Sequence, residues 1–412
     1  MNAICGNIAL KKNNFKWIDN SDFEFMELFE KSVNYIESKK IIKHDLFNSM
    51  SKQPENKEKI KEYAQFYTPA DVALYSAYNL LKNFTEHCII FDPCAGKGSL
   101  LIASGAILAI KFNLRDEDLL SKLYGSEICS ETYNETIDNI IIGLKQWIPT
   151  VDYLKAKNIL SKNIKNKDFH DILLPKNSLV IVNPPYKEVK GKGNAWLSFA
   201  KKISNSKNVK SLAMIVPVSI CSADRTISIR ESILKNFNEI IAFHHDTRPR
   251  PLFKNVEQRI TIIVAHKNNK KTSYSTTGFL THKSGERIEI WKQNFITLEH
   301  KYCKAVFPKI SNSNELAFFY KHFNADITIA QHVDTKSDTV IWVRTTGRYS
   351  LLAQINKPEN ITTKWKKLHI TKQGANLIIE SFKNGEALKW WKMFGDGRDI
   401  SMPKFLNSYG VV

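Results

Sequence analysis

Residues 87–104 read HCIIFDPCAGKGSLLIAS. Cys88–Phe91 has strand character, Asp92 ends it, Gly96 and Gly98 follow, and an apolar helix-like run begins at Leu100. Glycines in those places let the backbone turn tightly and approach a ligand where a β-carbon would collide. The ligand of such a turn sits beyond the carboxyl end of the strand, the usual crevice of an open α/β sheet. Two other turns fit less well. The dinucleotide fingerprint needs a third glycine three residues after Gly98, and Leu101 stands there. The phosphate-binding P-loop needs a Gly-Lys-Ser/Thr ending, which is missing. A G-x-G pair alone does not name the ligand, so the reading depends on the surrounding chain.

From Tyr67 to about His266 short apolar strands (HCIIF, LYGSEI, SLVIV, SLAMIVPV, EIIAFH, RITIIVA) alternate with helix-like segments. Such alternation predicts an α/β, Rossmann-like domain: a mostly parallel sheet with helices on both faces. Residues 1 to about 60 read as polar and helical, and the charged SKQPENKEKIKEY as a link. The basic break KNNKKTSY at 267–274 is a candidate boundary. Beyond it, TGFLTHKSGERIEIW reads as a hairpin turned at Lys283-Ser284-Gly285, and short strands mix with helices. The expected units are therefore 1–60, 61–267 and an α+β unit at 268–412.

The chain has 412 residues, 43% hydrophobic and 11% aromatic, enough for sizeable cores and unlike a disordered protein. Its net charge is +19, from 60 Lys and Arg against 41 Asp and Glu. A surplus that large favours a polyanionic partner, most simply nucleic acid, although a Lys-rich composition bias gives the same sum. Residues 266–412 hold 23 Lys and Arg against 12 Asp and Glu, more than half the surplus on about a third of the chain. A C-terminal unit that grips phosphates fits this, as does a solvated lysine-rich surface. The six cysteines form no C-x-x-C pair and the histidines no ligand spacing, so neither a metal site nor a disulfide framework is expected, and a reducing cytoplasm fits. MNAICGNIALKKNNFKW is too polar for a signal peptide, and no run suits a membrane span.

LVIVNPPYKEV at 179–189 carries the chemistry. A buried strand runs into an amide, two prolines and an aromatic ring. An exocyclic amino group on an aromatic base is a poor nucleophile, because its lone pair is conjugated with the ring. If the Asn183 side-chain oxygen and the Pro184 carbonyl accept both amino hydrogens, the lone pair is turned out of conjugation and aimed at a methyl donor. Pro184 and Pro185 fix the backbone that holds those acceptors, and Tyr186 supplies a ring on which the base stacks. Inside a duplex the amino group is out of reach, so the base must be flipped out. Two weaker features lie between the glycine turn and this loop. Glu127 ends the next strand and can accept ribose hydroxyls; Asp168-Phe169 can hold an adenine by its amino group and ring.

In that order the motifs resemble the γ-class N-6 adenine DNA methyltransferases of bacterial restriction–modification systems. QFYTPADVA at 65–73 resembles their leading motif, DPCAGKG at 92–98 motif I, Glu127 the acidic position of motif II, Asp168-Phe169 motif III, and Asn183-Pro184-Pro185-Tyr186 motif IV in full. PLFKNVEQRITIIV at 251–264 puts Phe253 where the family has a second aromatic residue against the flipped adenine. The resemblance covers about 65–267. It implies S-adenosylmethionine as cofactor. Tyr67, Thr68 and Pro69 would cover the methionine end, with Asp92, Pro93, Ala95, Gly96 and Gly98 forming the turn. Glu127 would hold the ribose, Asp168 and Phe169 the adenine, and Asn183 would also border the donor. It implies double-stranded DNA as partner and a basic target-recognition domain after the catalytic one, and it allows a separate endonuclease or specificity subunit as a further partner. In IWVRTTGRYSLL at 341–352, Arg344 and Arg348 are the candidates for reading bases or holding phosphates, whereas Trp342, Trp365, Trp390 and Trp391 suit a core.

Three rivals share these features. Protein glutamine methyltransferases and RNA guanine N-2 methyltransferases use a similar tetrapeptide, but are not expected to carry the basic tail and the FYTP element. A catalytically silent DNA-binding subunit conflicts with intact NPPY and DPxxGxG. A bifunctional nuclease has little room in the leading 60 or so residues, where no acidic–x–Lys cluster stands out.

Overall fold

The computed structural model describes residues 15–38, 45–51, 68–186, 188–189, 193–254, 256–269, 271–346, 352–397 and 399–412. Its centre is a nine-stranded sheet ordered β11-β10-β8-β9-β7-β4-β1-β2-β3. These strands are β1 (Ile89–Asp92), β2 (Leu123–Glu127), β3 (Ile164–Asn166), β4 (Ser178–Val182), β7 (Val209–Pro217), β8 (Glu239–His245), β9 (Ile260–His266), β10 (Ser273–Leu280) and β11 (Ile296–Leu298); β5 (Glu188–Val189) and β6 (Gly193–Asn194) pair with each other outside this sheet. β1 pairs in parallel with both β2 and β4, β2 with β3, and β4 with β7. β9 runs antiparallel between β7 and β8. Every residue of β4 is buried, as suits a strand covered on both faces.

The chain moves outward from β1 to β2 and β3, then returns to the other side of β1 to form β4. That reversal is a topological switch point, and it opens a crevice between the carboxyl ends of β1 and β4. All six strands read from the sequence are present, and both motif-bearing loops leave the sheet at this crevice. Behind the turn runs the helix Ser99–Phe112, buried from Ser99 to Ala109. It is apolar on all sides because the sheet covers one side and other helices the rest.

The sheet does not stop at residue 267. β10 pairs in parallel with β8, and β11 pairs with β10, so the basic break at 267–274 is a crossing between strands and not a domain boundary. The expected hairpin at 277–291 is also corrected. β10 occupies its first half, but Arg287–Ile290 is a short helix. The reason is a buried charge. The Arg287 guanidinium makes a two-pronged contact with Asp71 (Nε–Oδ2 2.7 Å, Nη2–Oδ1 2.9 Å), and Trp291 Nε1 donates to Asp71 Oδ2 at 2.8 Å. A strand register would point these two side chains, four residues apart, along the same face but too far apart to converge on one carboxylate.

The N-terminal residues are not an independent unit either. Trp17 donates from Nε1 to the Trp291 carbonyl at 2.7 Å, and its ring lies edge-on to Phe29 and Tyr75. The helix Phe23–Glu37 buries Phe25, Leu28, Phe29 and Val33 against the helix Ala70–Leu80. The later residues form a smaller α+β unit. Its antiparallel sheet β13-β12-β14 comprises β12 (Val340–Arg344), β13 (Leu352–Gln354) and β14 (Trp365–His369). Helices Ser313–Phe323, Lys372–Lys383, Glu386–Phe394 and Met402–Ser408 complete it. Trp390 and Trp391 are core residues as expected, whereas Trp342 and Trp365 are only half-buried on the sheet's outer face.

Candidate active site

The turn after β1 is held almost entirely by its own backbone and by its neighbours. Cys94 N donates to Asp92 Oδ1 at 3.0 Å, Ala95 N to the Ser126 carbonyl at 2.9 Å, and Ser126 Oγ to the Pro93 carbonyl at 2.8 Å. Gly96 (φ 54°) and Gly98 (φ 86°) occupy left-handed backbone, which explains why glycine stands at both. Gly125 of β2 is needed for a different reason: a β-carbon there would lie 2.8 Å from the Asp92 carbonyl oxygen. Lys97, between the two glycines, points away and pairs with Glu135 at 2.9 Å.

Glu127 reaches into this turn. Its Oε2 accepts from Gly96 N and its Oε1 from Cys129 N, each at 2.9 Å. Burial raises its pKa, opposed by those backbone donors. Burial, with Glu127 as a smaller contribution, pushes Asp92 up to about 8. Two desolvated carboxylates therefore share this corner, and no Lys or Arg pairs with either among the described residues. A cationic ligand would relieve that cost. S-adenosylmethionine carries a sulfonium and an ammonium, so the donor set fits it.

The loop after β4 is fastened to the same corner. Asn183 Nδ2 donates to Thr68 Oγ1 at 3.1 Å, and Asn183 Oδ1 accepts from the Tyr186 hydroxyl at 2.9 Å. The Tyr186 hydroxyl also lies 3.0 Å from the Ile215 carbonyl of β7. Cys94 Sγ donates to the Asn183 carbonyl at 3.4 Å, joining the two motif loops. The amide thus has a fixed orientation: its nitrogen faces Thr68, and its oxygen faces the Tyr186 hydroxyl. Burial holds the Tyr186 phenol well above its usual pKa, so the hydroxyl stays protonated.

The structure brings Thr68, Pro69, residues 92–98, Glu127 and residues 183–186 to one edge of the sheet. Tyr67 and Arg348 lie outside the described residues. Asp168 follows β3 beside the end of β2, where Lys167 N donates to the Glu127 carbonyl at 3.1 Å. Its side chain caps the next turn by accepting from His170 N at 2.8 Å. The Phe169 ring stacks on Phe199 with centroids 5.1 Å apart and lies under the Lys202 ammonium, so it is 2% exposed. Tyr186 (9%) and Phe253 (2%) are also covered in this structure. Arg344 is exposed at the end of β12, in the separate small sheet, with Leu352 and Trp365 as its cross-strand neighbours. Sequence reasoning missed two roles: the Tyr186 hydroxyl as an anchor for Asn183, and Asp71 as the anchor of the helix that follows Thr68. A carboxylate on an otherwise apolar helix, ADVALYSAYNL, was the available signal.

A sheet with a switch-point crevice, an acid-lined glycine turn and an Asn-Pro-Pro-Tyr loop defines the class of nucleoside-cofactor methyltransferases. Residues 50–322 match the N-6 DNA Methylase family, and the chain belongs to it. The family implies S-adenosylmethionine as the methyl donor. No curated protein matches the chain. Among solved structures it is similar to a type I restriction-modification system methyltransferase subunit from Streptococcus thermophilus. That similarity is 18% identity over 57% of this chain and 56% of that one, with a TM-score of 0.40. It is also similar to DrdV in its complex with DNA (13%, 70% of this chain and 37% of that one, TM-score 0.45). A third is a nuclease-deletion mutant of the Type ISP restriction-modification enzyme LlaGI with a DNA substrate mimic (14%, 71% and 31%, TM-score 0.43). The chain spans little more than half the length of the first and about a third of the other two. None of the described helices is long and apolar enough to cross a membrane.

Proposed function

We propose that the chain methylates the exocyclic amino group of adenine in double-stranded DNA within a short target sequence, as the cytoplasmic modification component of a restriction–modification system. The observation that carries the reading is the Asn183 amide, clamped between Thr68 and the Tyr186 hydroxyl beside two buried, cation-seeking carboxylates. S-adenosylmethionine, when bound, supplies an electrophilic methyl group.

The remaining steps belong to the protein. Asn183 Oδ1 and the Pro184 carbonyl accept the two amino hydrogens of a flipped adenine, and their fixed positions turn the nitrogen lone pair outward. The proton is lost after methyl transfer, so no carboxylate base is needed. Tyr186 and Phe253 flank the base, which requires the groups now covering their rings to move aside. Asp92, Pro93, Ala95, Gly96 and Gly98 line the donor site, Thr68 and Pro69 close one end with Tyr67, Glu127 takes the ribose, and Asp168 takes the adenine. Phe169, sealed under Lys202, fixes the position of Asp168 more than it offers a ring face. Arg344 and Arg348 contact DNA from the C-terminal unit.

Single-molecule sequencing of DNA from cells that express the chain, against cells that lack it, tests the reading. N6-methyladenine in one recurring sequence context is expected. Unmodified DNA, or methyl groups on another base, would overturn it.

A further inference from the structure

The edge of the sheet that carries the active site holds a second feature. β8 and β10 run parallel to β4, so their carboxyl ends lie on the same edge. There the C-terminal unit closes against the sheet around a cavity of about 290 Å³. Two glycines permit the close approach. A β-carbon at Gly278 would lie 2.8 Å from Ser311 Cβ, and one at Gly397 would lie 2.8 Å from the Phe279 ring.

The lining is cationic. Arg248, Arg259, Lys309, Lys389 and Lys392 line the cavity with only Asp246 and Glu315 as acids. Asp246 and Arg259 neutralise each other through two contacts of 3.0 and 2.9 Å. Glu315 accepts from Ser311 N at 2.8 Å. Among the described residues no carboxylate pairs with Arg248, Lys389 or Lys392. Lys309 is the decisive residue. It is 1% exposed, and its ammonium makes no hydrogen bond. The Phe279 ring centroid lies 5.8 Å from its Nζ, and Asp396 acts on it only through space, without an ion pair. Burial lowers its pKa to about 8, so most of it stays charged at neutral pH. A desolvated ammonium with no hydrogen bond is costly, and an anion bound in the cavity would offset that cost.

We propose that this cavity is a binding site for a phosphate group, taken from the backbone of the DNA substrate, with Lys309 as its buried contact and Lys392 at its mouth. The DNA source rests on the methyltransferase reading; the phosphate chemistry does not. Three and four strand spacings separate β4 from β8 and β10, about 15–20 Å. At about 3.4 Å per nucleotide, the phosphate lies about five nucleotides from the flipped base. The cavity is larger than one phosphate, which leaves room for the attached sugar.

The test uses the full chain, Lys309→Met, Lys392→Ala and two probes. The first probe is inorganic phosphate, compared with chloride at equal ionic strength. Phosphate should raise the Tm of the unmodified protein, and this protection should vanish in Lys309→Met. The second is a mixed-sequence duplex titrated across salt concentrations. Each variant should weaken binding about tenfold and reduce the slope of log Kd against log salt by about 1, while S-adenosylmethionine binding is unchanged. Phosphate protection with unchanged duplex binding would support the site and assign it a free phosphate compound. Lys309→Met with unchanged duplex binding, no phosphate effect in either protein and a raised Tm would overturn the proposal. Lys392 is exposed, so its variant keeps the test valid if Lys309→Met does not fold.

Discussion

Arg287→Met is the substitution whose consequence the structure specifies best. Asp71 is fully buried and receives four donors: Arg287 Nε and Nη2, Trp291 Nε1 and its neighbour Val72 N. Methionine fills a similar space but removes the positive charge and two of the four donors. A buried carboxylate left without its cation costs about 3–5 kcal/mol. With an unfolding entropy of about 2.1 cal/mol/K per residue over 412 residues, about 4 kcal/mol lowers Tm by about 5 °C. Asp71→Asn combined with Arg287→Met removes both charges and keeps an acceptor for Trp291, so it should recover most of the loss. Methyl transfer should follow the same pattern, because Asp71 anchors the helix that begins two residues after Thr68. Thermal melts and initial rates on the two single variants and the double variant form the assay. Strict additivity, with the double variant as unstable as the summed singles, would refute the coupling.

Three further outcomes follow from the site. Thr68→Val removes the acceptor of the Asn183 amide nitrogen at nearly constant volume; kcat should fall about 2–10-fold with Tm unchanged, and Thr68→Ser should restore it. Gly125→Ala presses a methyl group onto the Asp92 carbonyl, an immobile backbone atom; it should cost about 1–3 kcal/mol and weaken S-adenosylmethionine binding, as calorimetry would show. Asp92 has a folded pKa raised to about 8 against an unfolded value near 3.8, so the native state binds the extra proton between those values. The ligand-free protein should therefore lose stability as pH rises from 5 to 8, by at most about 1.4 kcal/mol per pH unit. Asp92→Asn should show a flatter profile, and identical profiles would contradict the burial of an unpaired carboxylate.

Much of the architecture was legible because its signals are local. β1, β2, β4, β7, β8 and β9 are apolar runs bounded by turns, and a parallel sheet needs that pattern. The glycine turn and Asn183-Pro184-Pro185-Tyr186 were legible because special backbone and fixed acceptors demand particular residues. The break at 267–274 misled, since a lysine-rich crossing between two strands has the same composition as a linker. Arg287–Ile290 misled because an alternating pattern reads as a strand, while a carboxylate 216 residues away decides the outcome. The hydroxyl role of Tyr186 was hidden for the same reason: its second acceptor, the Ile215 carbonyl, belongs to a different strand. Nothing in the sequence around Lys309 sets it apart from the other lysines of 266–412; its burial comes from tertiary packing.

The central claim is that the Asn183 amide makes an adenine amino nitrogen nucleophilic. Its most direct test incubates duplex DNA with methyl-labelled S-adenosylmethionine and the unmodified protein or Asn183→Ala, followed by mass spectrometry of the digested nucleosides. Labelled N6-methyladenine is expected from the unmodified protein and none above background from the variant, with donor affinity within a few-fold of normal. Equal labelling by both proteins would contradict the account.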